Sequence, residues 1–302
     1  MTKLQVETLD AKVERKTGVW SDFQMLVKFR LTLLVLFSAV MSYAIAIGSA
    51  FDWWIAAALC MGGFLVTGAA NALNQVLERD CDLIMTRTAN RPVATGRMSI
   101  STAVLLAGLM SLTGLVMLSF LHPLAGFFGA LSLISYAFVY TPLKRSTSLS
   151  VAIGAVPGAL PLIIGVVVAQ GELGHLAYML FGLQFLWQFP HFWAVAWLAD
   201  EDYKRAGYQL LPSRDGRKDE SVGLASLVFC LLLVVNAIAG YIYGLYGAWG
   251  MIGLTLLNIY FAWRCWNLFC SCTREAARAQ MFASFIHLPL SLIVILADRL
   301  VS

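Results

Sequence analysis

Charged side chains are scarce in this chain. Asp, Glu, Lys and Arg make up 13% of its 302 residues, about half the share found in a soluble domain. One soluble domain of this length has no room to hide an apolar fraction of 60%. The same numbers exclude a disordered or fibrous chain. Metal-ligand spacing is missing too. Cys60, Cys81, Cys230, Cys265, Cys270 and Cys272 are scattered and read as small core residues. The net charge of +4 is small. Nucleic-acid binding needs clustered basic surface, so position matters more than the sum, and no nucleic-acid partner is expected. The composition that remains is that of an all-α, polytopic membrane protein.

A membrane-spanning helix needs about 20 mostly apolar residues. Nine stretches qualify, at 29–49, 53–77, 100–120, 123–141, 151–170, 176–198, 222–243, 246–267 and 281–298. They are expected to surround a central cavity open to the cytoplasmic side. Residues 1–28 carry no evident cleavable signal and read as a cytoplasmic tail ending in an interfacial segment. Residues 29–302 read as a single transmembrane domain. Of the 21 Lys and Arg, all but Arg299 lie in the N-terminal segment or in the loops after spans two, four, six and eight. Positive residues stay cytoplasmic, so the N-terminus is expected inside and the C-terminus outside a cell inner (plasma) membrane. The chemistry is then expected at the cytoplasmic face.

The second span leads into the most informative stretch. Asn74, Glu78 and Asp82 stand at i, i+4 and i+8 on one helix face, with Asn71 a turn deeper. A face of this kind that starts inside a span is costly and marks function. Oxygen donors on one face suit Mg²⁺, which prefers a few carboxylates plus substrate phosphates. Arg87 and Arg91 follow at i, i+4. Guanidinium forks match phosphate oxygens. Acids followed at once by arginines suit a metal–diphosphate site. The plainer alternative is a solvated helix end whose acids and arginines pair with each other, but it has no need of Asn71 and Asn74. Arg79 and Asp80 point elsewhere and read as surface residues.

The sixth span also ends in acids and a basic, Pro-containing loop, a weak internal symmetry with the second. Asp202 is the candidate carboxylate there, while Asp200 and Glu201 read as loop surface. His191, about three turns before Asp202, reads as either a packing residue or a ligand. Trp187, Gln188, Trp193 and Trp197 read as walls of a flat-ligand pocket or as an aromatic belt. His287 is a second intramembrane histidine, and His122 and His175 sit in outer connections. Lys144 and Arg145 follow a Pro turn, within reach of the same diphosphate. Arg30, one turn into the first span, adds another cation.

The segments Asn74-Gln-Val-Leu-Glu78-Arg-Asp-Cys-Asp82 and Met85-Thr-Arg87-Thr-Ala-Asn-Arg91-Pro92 resemble the first signature of the UbiA-type intramembrane prenyltransferases. The resemblance covers nearly the whole chain. Gln75 replaces the usual Asp, Glu78 replaces the middle Asp, and Ala199 and Tyr203 stand at outer acidic positions of the second motif. These departures, with Gln188-Phe-Pro-His191 and the Lys144–Arg145 loop, resemble the branch that farnesylates heme. The resemblance implies farnesyl diphosphate and heme b as substrates and heme o as product. It implies Mg²⁺, with Mn²⁺ as a substitute, on Asn74, Glu78, Asp82 and Asp202, and fewer ligands for a second ion. Asn71, Arg30, Arg87, Arg91, Lys144 and Arg145 are the candidate substrate-binding residues, with His191 expected on the heme iron and Tyr203 at a polar contact nearby. The resemblance further implies membrane lipid as the surroundings, and a heme A synthase or terminal-oxidase assembly proteins as partners. Three alternatives remain: a prenyltransferase for an aromatic or quinone precursor, a cation-coupled transporter and a non-catalytic heme-handling protein. Transporter charges usually lie near the midplane, whereas these sit at the cytoplasmic ends.

Overall fold

The computed structural model describes residues 18–212 and 217–301, and among them no strand occurs. Lys3, Lys12, Arg15 and Lys16 of the expected tail, and Arg214, lie outside the described residues. The helices are α1 (Val19–Leu26), α2 (Phe29–Ile47), α3 (Trp53–Leu77), α4 (Arg79–Ile84), α5 (Ile100–Leu121), α6 (Pro123–Ile134), α7 (Ser150–Gln170), α8 (His175–Leu198), α9 (Asp200–Arg205), α10 (Glu220–Ile242), α11 (Ala248–Ser271) and α12 (Arg274–Val301).

Among the described residues, seven helices are long and apolar enough to cross a membrane: α2, α3, α5, α6 with its continuation to Leu143, α7, α10 and α12. Helices α8 and α11 are 24 residues each. They carry Gln184, Gln188 and His191, and Asn258, Arg264 and Asn267, and fall short of the same apolarity. This differs from the nine equivalent stretches expected. Outer faces stay apolar, with Leu105, Leu112, Phe120, Val235 and Leu256 exposed, as a lipid environment requires.

Successive long helices pack on one another, and α12 returns to pack on α2, so the chain closes a ring. Contacts of α2 with α7 and of α12 with α8 cross it. Small residues permit the close approaches. A Cβ on Gly165 would lie 2.1 Å from Ser42 Oγ and 2.2 Å from Ala39 O, and one on Gly223 would lie 2.3 Å from Phe269 N.

Two joints position the site. The expected unbroken helix through Asp82 is interrupted at Glu78 (φ −99°, ψ 9°), where α3 stops and the short α4 begins. Helix α8 stops the same way at Ala199 (φ −105°, ψ 15°) before the short α9. A π-helical stretch, Ser135–Tyr140, precedes Pro142 at the end of α6. The missing N–H of a proline disturbs the helical ladder, and such π segments are frequent at functional sites. This one carries Tyr136 and Tyr140 and leads directly to Thr141.

Candidate active site

Asn71, Asn74, Glu78 and Asp82 are all buried. Three of them face cations. Asn74 Oδ1 accepts from Lys28 Nζ at 2.7 Å, while its Nδ2 donates to Thr141 Oγ1 at 3.1 Å. Glu78 Oε1 accepts from Lys144 Nζ at 2.9 Å and from the Tyr208 hydroxyl at 3.1 Å. Arg91 Nη1 donates to both Asp82 oxygens, at 2.7 and 2.8 Å. The plainer alternative had acids and arginines paired in water. Pairing does occur, but out of water. Asn71 turns from this group and donates to Val27 O at 3.2 Å and Thr32 Oγ1 at 3.3 Å.

Lys28 reaches Asn74 because α1 is pinned. Gln75 Nε2 donates to Met25 O at 2.7 Å and Leu26 O at 3.1 Å. Arg97 holds Asp22 at 2.9 Å. Between α1 and α2 the backbone reverses at Lys28, which is left-handed with φ +48°. A non-glycine residue there is strained by about 1–3 kcal/mol and persists only where its surroundings over-determine it. Lys28 Nζ also donates to the Tyr136 hydroxyl at 3.2 Å.

The charges shift one another. Burial pushes the Glu78 carboxyl up, but Lys144 and its hydrogen bond, with Lys28 and Arg91 behind, hold it below its ordinary value. Burial raises Asp82, and Arg91 does not fully offset that. Burial lowers Lys144, but Glu78 raises it and wins. Lys28 falls well below the ordinary lysine value through burial first, then repulsion from Arg91 and Lys144.

The remaining expected residues are placed as follows. Asp202 accepts from the backbone N–H groups of Thr86 (3.2 Å) and Arg87 (3.4 Å) and pairs with Arg205. It thus ties α9 to the turn that follows α4. Arg87 is exposed; its guanidinium lies over the Tyr203 ring at 5.4 Å, and Nη2 donates to the Tyr203 hydroxyl at 3.0 Å. Arg145 and Arg30 are exposed, and among the described residues Arg30 makes no ion pair. Asp200 differs from its loop-surface expectation. It is buried, because Lys204 at 3.0 Å and Lys218 at 3.6 Å fold over it. His191 Nδ1 meets Ser284 Oγ at 2.8 Å, and His287 Nε2 meets Asn258 Oδ1 at 2.8 Å. A cavity of about 260 Å³ opens beside Asp200, Tyr203, Lys204 and Tyr208.

Among the described residues, no three of His, Cys, Asp and Glu stand close enough to hold a metal ion. The donor set nevertheless suits a hard cation. Oxygens of Asn74, Glu78 and Asp82 each face a positive group, and oxygen donors are what Mg²⁺ takes. Sequence reasoning passed over Lys28, Thr141, Tyr136 and Tyr208. Lys28 stands two residues before Arg30, and only the left-handed turn turns it inward. Tyr208 carries no charge or spacing that marks it.

The ring of apolar helices thus holds a cluster of cations paired with buried oxygen donors. The chain matches the UbiA prenyltransferase family over residues 35–288, and it belongs to that family as an integral, multi-pass membrane protein. It is 39% identical over 284 residues to a protoheme IX farnesyltransferase of Cytophaga hutchinsonii, covering 93% of this chain and 99% of that protein. Its fold is like that of a digeranylgeranylglyceryl phosphate synthase, with TM-score 0.78, 16% identity and coverage of 93% and 98% of the two chains. It is also like a UbiA homologue from Archaeoglobus fulgidus bound to GPP and Mg²⁺, with TM-score 0.66, 14% identity and coverage of 91% and 99%.

Proposed function

We propose that this chain transfers the farnesyl group of farnesyl diphosphate to a vinyl group of heme b, giving heme o and diphosphate. One water adds as the hydroxyl of the new hydroxyethylfarnesyl arm. The observation that carries this reading is the set of three cations, Lys28, Arg91 and Lys144, on three buried oxygen donors. The near-full-length likeness to a protoheme IX farnesyltransferase supports the choice of substrates.

Departure of diphosphate from an allylic carbon leaves negative charge on oxygen and positive charge on the prenyl chain. Lys28, Lys144 and Arg91 would offset the first, assisted by Arg87, Arg145 and Arg30. Asn74, Glu78, Asp82 and Asp202 form no ready cage, so they would hold Mg²⁺ or Mn²⁺ together with the phosphate oxygens of the substrate. When bound, the ion supplies Lewis-acid charge to the phosphate oxygens. The apolar ring keeps water from the allylic cation until the acceptor is aligned. His191 takes the heme iron, and Tyr203 makes a polar contact nearby.

In this reading α8 and α11 also cross the membrane, making nine spans around a cavity open to the cytoplasm. Residues 29–302 form one domain in a cell inner membrane, N-terminus inside and C-terminus outside. A heme A synthase or terminal-oxidase assembly proteins receive the product. The test is incubation of purified protein with heme b, farnesyl diphosphate and Mg²⁺, followed by mass analysis. The heme is expected to gain one farnesyl group and one water. Heme recovered unchanged overturns the reading.

A further inference from the structure

Two histidines stand within the helical ring, and their hydrogen bonds put the ring protons on opposite nitrogens. Ser284 on α12 sends its hydroxyl proton to the Met281 carbonyl at 2.5 Å. A serine hydroxyl has one proton and two lone pairs. The 2.8 Å contact between Ser284 Oγ and His191 Nδ1 is therefore one in which the ring donates. His191 is the Nδ1–H tautomer, and its lone pair sits on Nε2. Among the described residues that nitrogen has no hydrogen-bond partner, and the His191 side chain is only half-buried.

His287 is the reverse. Its Nε2 faces an acceptor, Asn258 Oδ1, and so bears the proton. Its lone pair lies on Nδ1, which is buried without a partner. Binding a metal centre needs both a free lone pair and an opening. His191 carries its lone pair on a half-buried ring, whereas His287 carries its own on a fully buried one.

The same serine fixes the wall beside His191. The Ser284 carbonyl accepts the Trp187 indole N–H at 2.9 Å. The Trp187 ring stacks on the imidazole, with centroids 4.7 Å and planes 11° apart. Phe285 meets the imidazole edge-on at 5.1 Å. Phe192 adds a tilted contact at 5.5 Å, so the ring is held by a hydrogen bond and three aromatic contacts, with Nε2 left without a bond.

We propose that Ser284 is a positioning residue for the porphyrin acceptor: it locks His191 in the Nδ1–H tautomer, so that Nε2 takes the heme iron. This rests on the heme-acceptor reading given above. A ligating imidazole that donates from its other nitrogen is both oriented and more basic toward the metal. Iron and Nε2 form one coordinate bond from the nitrogen lone pair. No electron is transferred, and no proton leaves because the tautomer is already set.

The test is titration of the purified full-length protein with heme b, without farnesyl diphosphate. It is followed by absorbance and, for the ferrous form, by resonance Raman. The parent is expected to show an iron–imidazole stretching band. His191→Gly loses it, and added imidazole restores it. Ser284→Ala keeps the band at a lower frequency and binds heme about 10-fold or more weakly, the usual cost of losing such a partner. Trp187→Phe cuts the other tie to Ser284 but spares the Nδ1 bond, so its band stays at the parent frequency. Farnesyl diphosphate binding, retained in each variant, reports on the fold. A band unmoved in Ser284→Ala, an equal fall in Trp187→Phe, or a parent-like spectrum in His191→Gly overturns the proposal. Heme o formation by the parent is scored separately. Product with an unmoved band removes only the Ser284–His191 assignment, whereas no product removes the acceptor reading itself.

Discussion

Lys144 Nζ stands 2.9 Å from Glu78 Oε1, with the two side chains only 12% and 5% exposed. Each holds the other in its charged form. Removing one partner of such a buried pair leaves an uncompensated charge, at a cost of about 3–5 kcal/mol. Glu78→Ala and Lys144→Ala are each expected to lower the melting temperature in detergent. The double variant Glu78→Gln/Lys144→Met keeps the shapes, removes both charges and is expected to recover the fold. Turnover should stay about 10²–10³-fold down, the usual cost of losing one preorganised charge-stabilising group. A double variant with parental turnover would remove the pair from the chemistry.

The metal prediction follows from the oxygen donors. Excess chelator is expected to abolish farnesyl transfer, and Mg²⁺ or Mn²⁺ to restore it. Asp82→Ala frees Arg91 and removes a donor, so most turnover should be lost at any Mg²⁺ concentration. Full activity in chelator would take the metal out of the mechanism.

Arg87 and Tyr203 join the turn after α4 to α9, by a cation over the ring and by a 3.0 Å hydrogen bond. Arg87→Lys keeps charge but loses the planar fork over the ring. Affinity for farnesyl diphosphate is expected to fall about 10-fold, the scale of one charge-assisted bond. Tyr203→Phe keeps the ring and should cost less. Equal, parental affinity in both would leave Arg87 only a topological anchor.

The acidic face is legible in the sequence because i, i+4, i+8 spacing needs only the helical period. Its placement beside the second acidic end rests on the two matching joints, at Glu78 and Ala199, and the repeated exit pattern hinted at these. The cationic partners are another matter. Lys28 lies 46 positions from Asn74 and Lys144 lies 66 from Glu78, and no local pattern pairs them. Lys28 was hidden further because its inward aim depends on a left-handed residue no glycine announces. Asp200 misled for the opposite reason. A carboxylate in a charged loop looks solvated until Lys204 and Lys218 close over it.

Orientation is testable with single cysteines. Ser146 and Glu172 are exposed and lie in connections at opposite ends of α7. With an impermeant maleimide on intact cells, Glu172→Cys is expected to react, and Ser146→Cys only after permeabilisation. The six native cysteines are first replaced by serine, and Cys270 or Cys272, exposed at the end of α11, is restored alone as a reference that should behave like Ser146→Cys. Labelling of Ser146→Cys from outside would invert the topology and move the site to the other face.

Lys28 carries a pH prediction whose sign follows from its surroundings. Burial, then Arg91 and Lys144, hold its pKa well below the ordinary 10.5, so it gives up its proton at a lower pH than an exposed lysine. An anionic diphosphate favours the protonated form. Binding therefore raises the Lys28 pKa and takes up a proton wherever the free site has lost one. Affinity for farnesyl diphosphate should be flat with respect to Lys28 below its lowered pKa and fall as pH rises through it. Lys28→Arg remains charged throughout and should lack that fall, while Lys28→Met should bind weakly at every pH and also lack it. Calorimetry in two buffers of different ionisation heat reads the proton directly: uptake by the parent on the alkaline side, none by Lys28→Arg. The same pH profile in parent and Lys28→Arg would mean that another group sets the dependence and that Lys28 only holds Asn74 in place.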